Sequence, residues 1–316
     1  MTAPLVSIIV PCFNAERWLG ITLESALAQT WPNKEIIVIN DGSSDGSLAL
    51  ARTFEPRGVK VIDQRNQGAA AARNTGIRAS TGAFLQFLDA EDLLSPGKLS
   101  AQIELLSHCA PSRVASCRWG RFEIDRDQAR FVDDAVYRDF TAIDFLVLAG
   151  ETGAMMHPSA WLVPVDVAQR AGPWDESLSL NDDGEYFARV ALASSGLAYC
   201  DEQGARSFYR SGLAGSLSQQ RGEKARRSQF RSLELITRKL LAAEDSARTR
   251  MACAGYWRRF VHDFYPFPPE LIQRAESEVR RLGEDVGRPT MGPRTAALSA
   301  IIGWKNVWRL KHFLDR

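Results

Sequence analysis

The sequence predicts an α/β fold: a mostly parallel central sheet flanked by helices, continued by a helical C-terminal extension. Three observations predict it. Short apolar runs alternate with helical periodicities through the first ~90 residues. A polar, often acidic, cluster follows each run, and open α/β sheets bind ligands at the edge where strands end. From residue 223 onward the pattern is almost wholly helical.

The elements follow in order. Residues 6–10 are apolar and end at Pro11, as suits a strand buried on both faces. Asn14 is expected to cap the next helix, with Leu19, Leu23, Ala26 and Leu27 on its inner side. Residues 35–39 form a second strand and run into Asn40-Asp41-Gly42-Ser43-Ser44-Asp45. A short helix with Leu48, Ala51 and Phe54 inward precedes a third strand at 59–62. An alanine-rich helix spans 68–79, and a fourth strand at 83–88 runs into Asp89-Ala90-Glu91-Asp92. Residues 111–200 are less regular, with strands near 116–124 and 160–164 and a helix over 183–193. Prolines break the C-terminal helices at 264–269, and a Gly/Pro-rich link at 287–293 precedes a last helix. This reading divides one α/β domain into halves at 1–110 and 111–220, followed by a helical extension at 221–316.

The composition, 45% hydrophobic and 24% charged, is that of a globular chain and excludes disordered and collagen-like classes. No run approaches the ~18 apolar residues of a membrane span. The N-terminus reads as a strand, not a signal peptide. Five dispersed cysteines without a Cys-x-x-Cys pair suit free thiols in a reducing compartment, so a cytoplasmic location is expected. The net charge of +1 conceals −1 over 1–100, −7 over 101–220 and +9 over 221–316. The basic end suits either a solvated surface or an anionic membrane at its inner face. At the last helix Lys305, Arg309, His312 and Arg316 share one side, opposite Trp304, Val307, Trp308, Leu310 and Leu314. That amphipathic pattern serves membrane contact, docking on the chain's own domain or an oligomer contact. Nucleic acid is not an expected partner.

The chemistry concentrates in acids. The loop after the first strand has neither the Gly-x-Gly-x-x-Gly fingerprint nor a phosphate-binding P-loop, which argues against dehydrogenases and NTPases. Asp41, Asp45, Asp89, Glu91 and Asp92 stand at strand ends instead. Three carboxylates in four residues repel unless a cation lies between them, and such oxygen-rich clusters suit Mg2+ or Mn2+. A divalent ion there would bridge the oxygens of a diphosphate. Helix capping is the alternative role for residues 89–92.

Four motifs stand in order: residues 6–14, Asn40-Asp41-Gly42-Ser43-Ser44-Asp45, Asn66-Gln67-Gly68 with Ala72-Arg73-Asn74-Thr75-Gly76, and Phe87-Leu88-Asp89-Ala90-Glu91-Asp92. Together they resemble the nucleotide-sugar-binding half of family-2 glycosyltransferases of the GT-A (Rossmann-like) fold. The resemblance continues more loosely to about residue 220. It implies that Pro11, Asn14, Asn66 and Gly68 surround the nucleotide and that Asp41 bonds a uracil-type base. It implies that Arg73 counters the diphosphate charge. Asp89-Ala90-Glu91 resembles the family's Asp-x-Asp metal element, with Glu91 where Asp is usual and Asp92 able to share the metal. Asp182-Asp183, six residues before Arg189, resembles the family's Glu-Asp element, and Asp183 matches the general base. Trp174 is expected either to stack on an acceptor sugar or to be core. Tyr209-Arg210, followed by Ser216 and Ser218, resembles a Tyr-Arg element that places Arg210 near the leaving diphosphate. Gly212 occupies the position of a histidine found in some relatives, and His157 is expected to be structural.

The resemblance implies metal-dependent, inverting transfer from a nucleoside-diphosphate sugar, of the UDP class first, to a carbohydrate, lipid-linked or other hydroxyl acceptor. A catalytically impaired nucleotide-sugar-binding protein is the non-enzyme alternative. A sugar nucleotidyltransferase is disfavoured, because residues 11–14 hold no Gly-rich, Arg/Lys-bearing loop.

Overall fold

In chain order, β1 (Val6–Cys12), α1 (Glu16–Leu27), β2 (Lys34–Asp41), α2 (Ser47–Arg52), β3 (Val59–Gln64), α3 (Ala69–Ala79) and β4 (Phe84–Phe87) carry the alternation expected from sequence. The middle of the chain supplies β5 (Leu93–Leu94), α4 (Lys98–Ser107), β6 (Val114–Phe122), α5 (Ala142–Thr152), β7 (Val163–Pro164), α6 (Val165–Ala171), α7 (Asp182–Ala193), β8 (Leu197–Cys200) and β9 (Arg206–Arg210). The remainder is α8 (Glu223–Ala243), α9 (Ala247–Phe264), α10 (Pro269–Arg281), α11 (Pro293–Ile302) and α12 (Trp304–Leu314). This computed structural model describes residues 3–213 and 222–314. Ser216, Ser218 and Arg316 lie outside the described residues, as do the side chains of His312 and Leu314.

The main sheet has the order β3-β2-β1-β4-β7, parallel except for β7 at the edge. Strand alternation fills both of its faces. Ile8, Val10, Ile36 and Val38 share a core with Leu19 and Leu23 of α1. Ile9, Ile37, Leu85 and Phe87 share the opposite core with Trp161, Tyr186 and Phe187. A second sheet, β5-β9-β6-β8, begins immediately after the acidic run, where Leu93 and Leu94 pair with Phe208 and Ser207. Asp89–Asp92 therefore does not cap a helix; the next helix starts at Lys98.

The C-terminal helices belong to the same core. Phe230, Trp257, Phe260 and Leu271 join the cluster that holds Phe145 of α5 and Tyr186 of α7. At the α5–α9 crossing a Cβ on Gly150 or Gly255 would overlap the other helix's backbone, so glycine sets how closely the two pack.

Two sequence expectations are corrected. Asn14 does not cap α1. The β2–α2 loop and the first residue of α2 supply the oxygens: Ala15 N donates to Ser47 Oγ at 2.8 Å and Glu16 N to Asp45 Oδ2 at 3.1 Å. Asn14 adopts a left-handed φ of 50° and accepts from Ser44 N at 2.8 Å. The last helix is also two, separated at Gly303, whose φ is 80°. Its tryptophan side docks on the chain itself. Trp304 and Val307 are buried, Trp308 Nε1 donates to His262 O at 3.1 Å, and Lys305 Nζ pairs with Glu276 at 2.6 Å. Among the described residues no helix is long and apolar enough to cross a membrane.

Candidate active site

The C-terminal edge of the parallel strands opens into a cavity of about 1130 Å³. Pro11, Asn14, Asp41, Asn66 and Gly68 line one end, and Arg73, Asp89, Glu91, Asp182 and Asp183 line the middle. At the first end polar groups are already satisfied. The buried Asp41 carboxylate accepts from Gln64 Nε2 at 2.8 Å, Gln67 N at 2.9 Å and Gly68 N at 2.8 Å. Gly68 holds a φ of 95°, which a Cβ would oppose. Three donors on one carboxylate fix the β3–α3 loop against β2.

The middle of the cavity is different. Arg73 is buried, and its guanidinium donates to Asp89 Oδ1 at 2.8 Å and Asp182 Oδ2 at 3.0 Å. It thereby ties the end of β4 to the start of α7 across residues 109 apart in sequence. Burial works against both charges of the Arg73–Asp89 pair, but their attraction outweighs it: Arg73 is pushed up and Asp89 down. Burial pushes the Asp182 carboxyl up to about 7 in spite of Arg73, and raises Asp183 as well. Asp183 Oδ1 accepts from Gly184 N at 2.8 Å, whereas both guanidinium Nη atoms of Arg73 are committed to Asp89 and Asp182.

The loop before Asp182 is clamped from α8. Ser228 Oγ accepts from Ser179 N at 2.7 Å and donates to Leu180 O at 3.0 Å. Ser232 Oγ accepts from Asn181 Nδ2 at 2.6 Å and donates to Asn181 O at 2.9 Å. These bonds hold Asn181 at a left-handed φ of 63°, strained for a residue with a side chain. The C-terminal helices thus set the start of α7.

The acidic run forms a tight turn in which Asp92 N donates to Asp89 O at 3.0 Å. A turn brings its first and fourth residues to the same side. Asp89 and Asp92 consequently meet His157, one ligand atom of each lying within 4.8 Å of the others. Asp92 Oδ1 accepts from Arg210 N at 2.8 Å. Its fully buried Oδ2 lies 3.2 Å from His157 Nε2 with no hydrogen bond aligned to it. Burial, then the charges of Glu91 and Asp89, raise Asp92 well above the usual carboxylate range. Burial lowers His157 to about 4, favouring the neutral imidazole that ligates metals. Two carboxylates, one orphaned oxygen and a neutral imidazole fit a divalent cation such as Mn2+.

Residues 7–165, just over half the chain, match the glycosyl transferase family 2. The chain belongs to this family. An uncharacterized glycosyltransferase of Rickettsia typhi is 30% identical over 196 residues, spanning 61% of this chain and 60% of that protein. The Escherichia coli UDP-Glc:alpha-D-GlcNAc-diphosphoundecaprenol beta-1,3-glucosyltransferase WfgD is 38% identical over 121 residues, 38% of this chain and 46% of its own length. The chain thus spans at most 60% of the first of these relatives and 46% of the second. In fold it matches S. aureus TarS 1–349 in complex with UDP-GlcNAc, with a TM-score of 0.71 at 17% identity, covering 88% of this chain and 81% of that one. It also matches the mannosyltransferase PcManGT of Pyrobaculum calidifontis in complex with GDP-Man and Mn2+, with a TM-score of 0.56 at 16% identity, over 97% and 84%.

Within this glycosyl transferase family 2 chain, several positions depart from expectation. Glu91 is not in the Asp89–Asp92–His157 group, yet it lies close enough to both carboxylates to share their electrostatics. It lines the cavity, and burial followed by the Asp89 charge raises it to about 7. Arg210 is fully buried behind the acidic turn and is not part of the cavity lining. Its Nε donates to Glu91 O at 3.0 Å, and its guanidinium lies between Trp18 and Phe122, 4.0 and 4.3 Å from their ring centres. Trp174 is core. Tyr186 stacks on it at 4.1 Å and Arg73 sits 4.5 Å from its ring centre, so no face is left for a sugar. Sequence reasoning missed Arg17, Trp119 and Arg121 on the cavity wall, and treated His157 as structural. Strand alternation was the available signal: Trp119 and Arg121 are two apart on β6, and Arg121 pairs in register with Tyr209. Neither Arg17 nor Arg121 has an acidic partner among the described residues; each lies over an aromatic ring.

Proposed function

We propose that the protein transfers a sugar from a nucleoside-diphosphate sugar to an acceptor hydroxyl. The observation that carries this reading is the Arg73 bridge, which sets Asp182 and Asp183 beside Asp89 in one cavity at the strand ends that His157 also lines, with Asp92 buried behind the turn. The nucleotide occupies the end built from Pro11, Asn14, Asp41, Asn66 and Gly68. A UDP-sugar is the donor class, supported by the UDP-sugar named for WfgD and the UDP-GlcNAc bound by TarS. The WfgD name likewise supports a lipid-linked carbohydrate acceptor.

Asp183 is the general base. It removes the acceptor proton as that oxygen forms its bond to the anomeric carbon and the bond from that carbon to the diphosphate breaks. Single displacement from the opposite face inverts the anomeric centre, as the family resemblance implies. Asp182, held by Arg73, keeps its neighbour oriented. Arg17 and Arg121, which have no acidic partner among the described residues, stabilise charge on the departing diphosphate. A Mn2+ or Mg2+ ion held by Asp89, Asp92 and His157 would supply further neutralisation of that diphosphate.

Incubation with radiolabelled UDP-sugars and lipid-linked or free glycan acceptors tests the reading. It expects sugar transfer, or slow donor hydrolysis without acceptor, lost in Asp183→Asn. Binding of UDP with neither reaction, for any donor, would make the chain a binding protein.

A further inference from the structure

α11 is apolar on nearly every side, yet Ser299 is its only buried residue. A helix of this composition is normally enclosed. Here Leu298, Ile301 and Ile302 are 39%, 81% and 38% exposed, and they share one side by their spacing of three and four. Arg294, one turn earlier, stands at the head of that side. On α12, Leu310 and Phe313 are 46% and 76% exposed, one turn apart and flanked by Arg309 and Lys311.

The charge around these residues is one-sided. Residues 286–314 contain five Lys/Arg and no Asp or Glu. Lys305 is paired with Glu276, while Arg288, Arg294, Arg309 and Lys311 have no acidic partner among the described residues. The one acid beside this surface among the described residues, Glu276, is already paired with Lys305, so a second copy of the same surface would bring mostly like charges together. An anionic bilayer offers both complements: phosphate oxygens for the cations and acyl chains for the isoleucines and phenylalanine.

We propose that α11 and the Leu310–Phe313 edge of α12 form a membrane-surface site for anionic phospholipid. The tryptophan side of α12 is the part that docks this site to the domain, through Trp304, Val307 and the Trp308–His262 hydrogen bond. The site lies outside the transfer cavity and stands whether or not the chain transfers sugar.

Sedimentation of the full chain with phosphatidylcholine vesicles, with and without an equal part of phosphatidylglycerol, tests it in the absence of any donor. Binding is expected to the anionic vesicles only and to weaken with salt. Arg294→Glu and Lys311→Glu should each lower the partition constant about fivefold or more, the scale of one lost interfacial cation. Ile301→Ser with Phe313→Ser should abolish sedimentation while leaving the melting temperature unchanged, since both side chains are mostly exposed. Three results would overturn the site: no anionic binding by the wild type, equal binding by the serine variant, or a concentration-dependent dimer that the serine variant dissolves.

Discussion

The two ends of the cavity are built on opposite principles. The Asp41 carboxylate and the Asn14 amide oxygen accept bonds from backbone, amide and hydroxyl donors of neighbouring segments. Around Asp89, Asp92, Asp182 and Asp183 carboxyls crowd into a buried space with one arginine between them, and burial raises three of the four. The first end is rigid: its polar groups hold the loops in place. The second crowds carboxyls of raised pKa around one arginine, a pattern that clusters at functional sites.

The largest effect should come from the base. Asp183→Asn preserves size but cannot accept a proton, and turnover should fall roughly 10²–10⁴-fold with UDP affinity retained in calorimetry. If Asp182→Asn is the dead variant and Asp183→Asn is active, the roles within the pair are exchanged.

At the satisfied end the loss should be in binding. Asp41→Asn turns an acceptor into a donor against Gln64, Gln67 or Gly68, so UDP affinity should weaken about tenfold or more, ~1.4 kcal/mol. An unchanged dissociation constant would remove Asp41 from the nucleotide site.

The α8 clamp sharpens the comparison from outside. Ser228→Ala with Ser232→Ala releases the loop that sets Asn181 in its left-handed conformation. We expect kcat to drop about tenfold at unchanged donor KM, with a stability cost of ~1 kcal/mol per serine. A shift in melting temperature without a kcat change would make the clamp purely structural.

pH tests the acidic end alone. Burial pushes Asp182 from the ordinary value of 3.8 to about 7. The native state therefore binds more protons than the unfolded chain between those values, and stability falls as pH rises through that window. The metal-free protein should melt a few degrees lower at pH 8 than at pH 5, and Asp182→Asn should flatten that slope. The smallest change is Trp174→Phe, which removes an Arg73 contact in the core. Acceptor KM should not move, and a large increase would restore Trp174 to the acceptor site.

Legibility in the sequence follows the same division. Strand alternation and turn residues are local signals, so β1 to β4 and the loops at Asp41 and Asp89 could be read directly. The partner of a side chain is not local. Arg73 finds Asp182, Asn14 finds Ser44, and Ser228 finds Leu180 only once the chain has folded. His157 looked structural because nothing nearby in sequence marked it as the neighbour of a turn 65 residues earlier. For Trp174 and Arg210 the limit is the converse: a motif records residue type, whereas burial between Tyr186 and Arg73, or between Trp18 and Phe122, decides what the side chain faces.

The central claim is that the reacting end requires a cation held by the turn and His157. Titration of Mn2+ in the presence of UDP, followed by the loss of the free-ion electron paramagnetic resonance signal, tests it most directly. One bound ion per chain is expected, with affinity weakened about 10–100-fold by Asp92→Asn or His157→Ala, the range for disturbing a ligand's surroundings, and largely kept in Glu91→Ala. No Mn2+ binding by the wild type, or binding lost in Glu91→Ala and kept in His157→Ala, would contradict it.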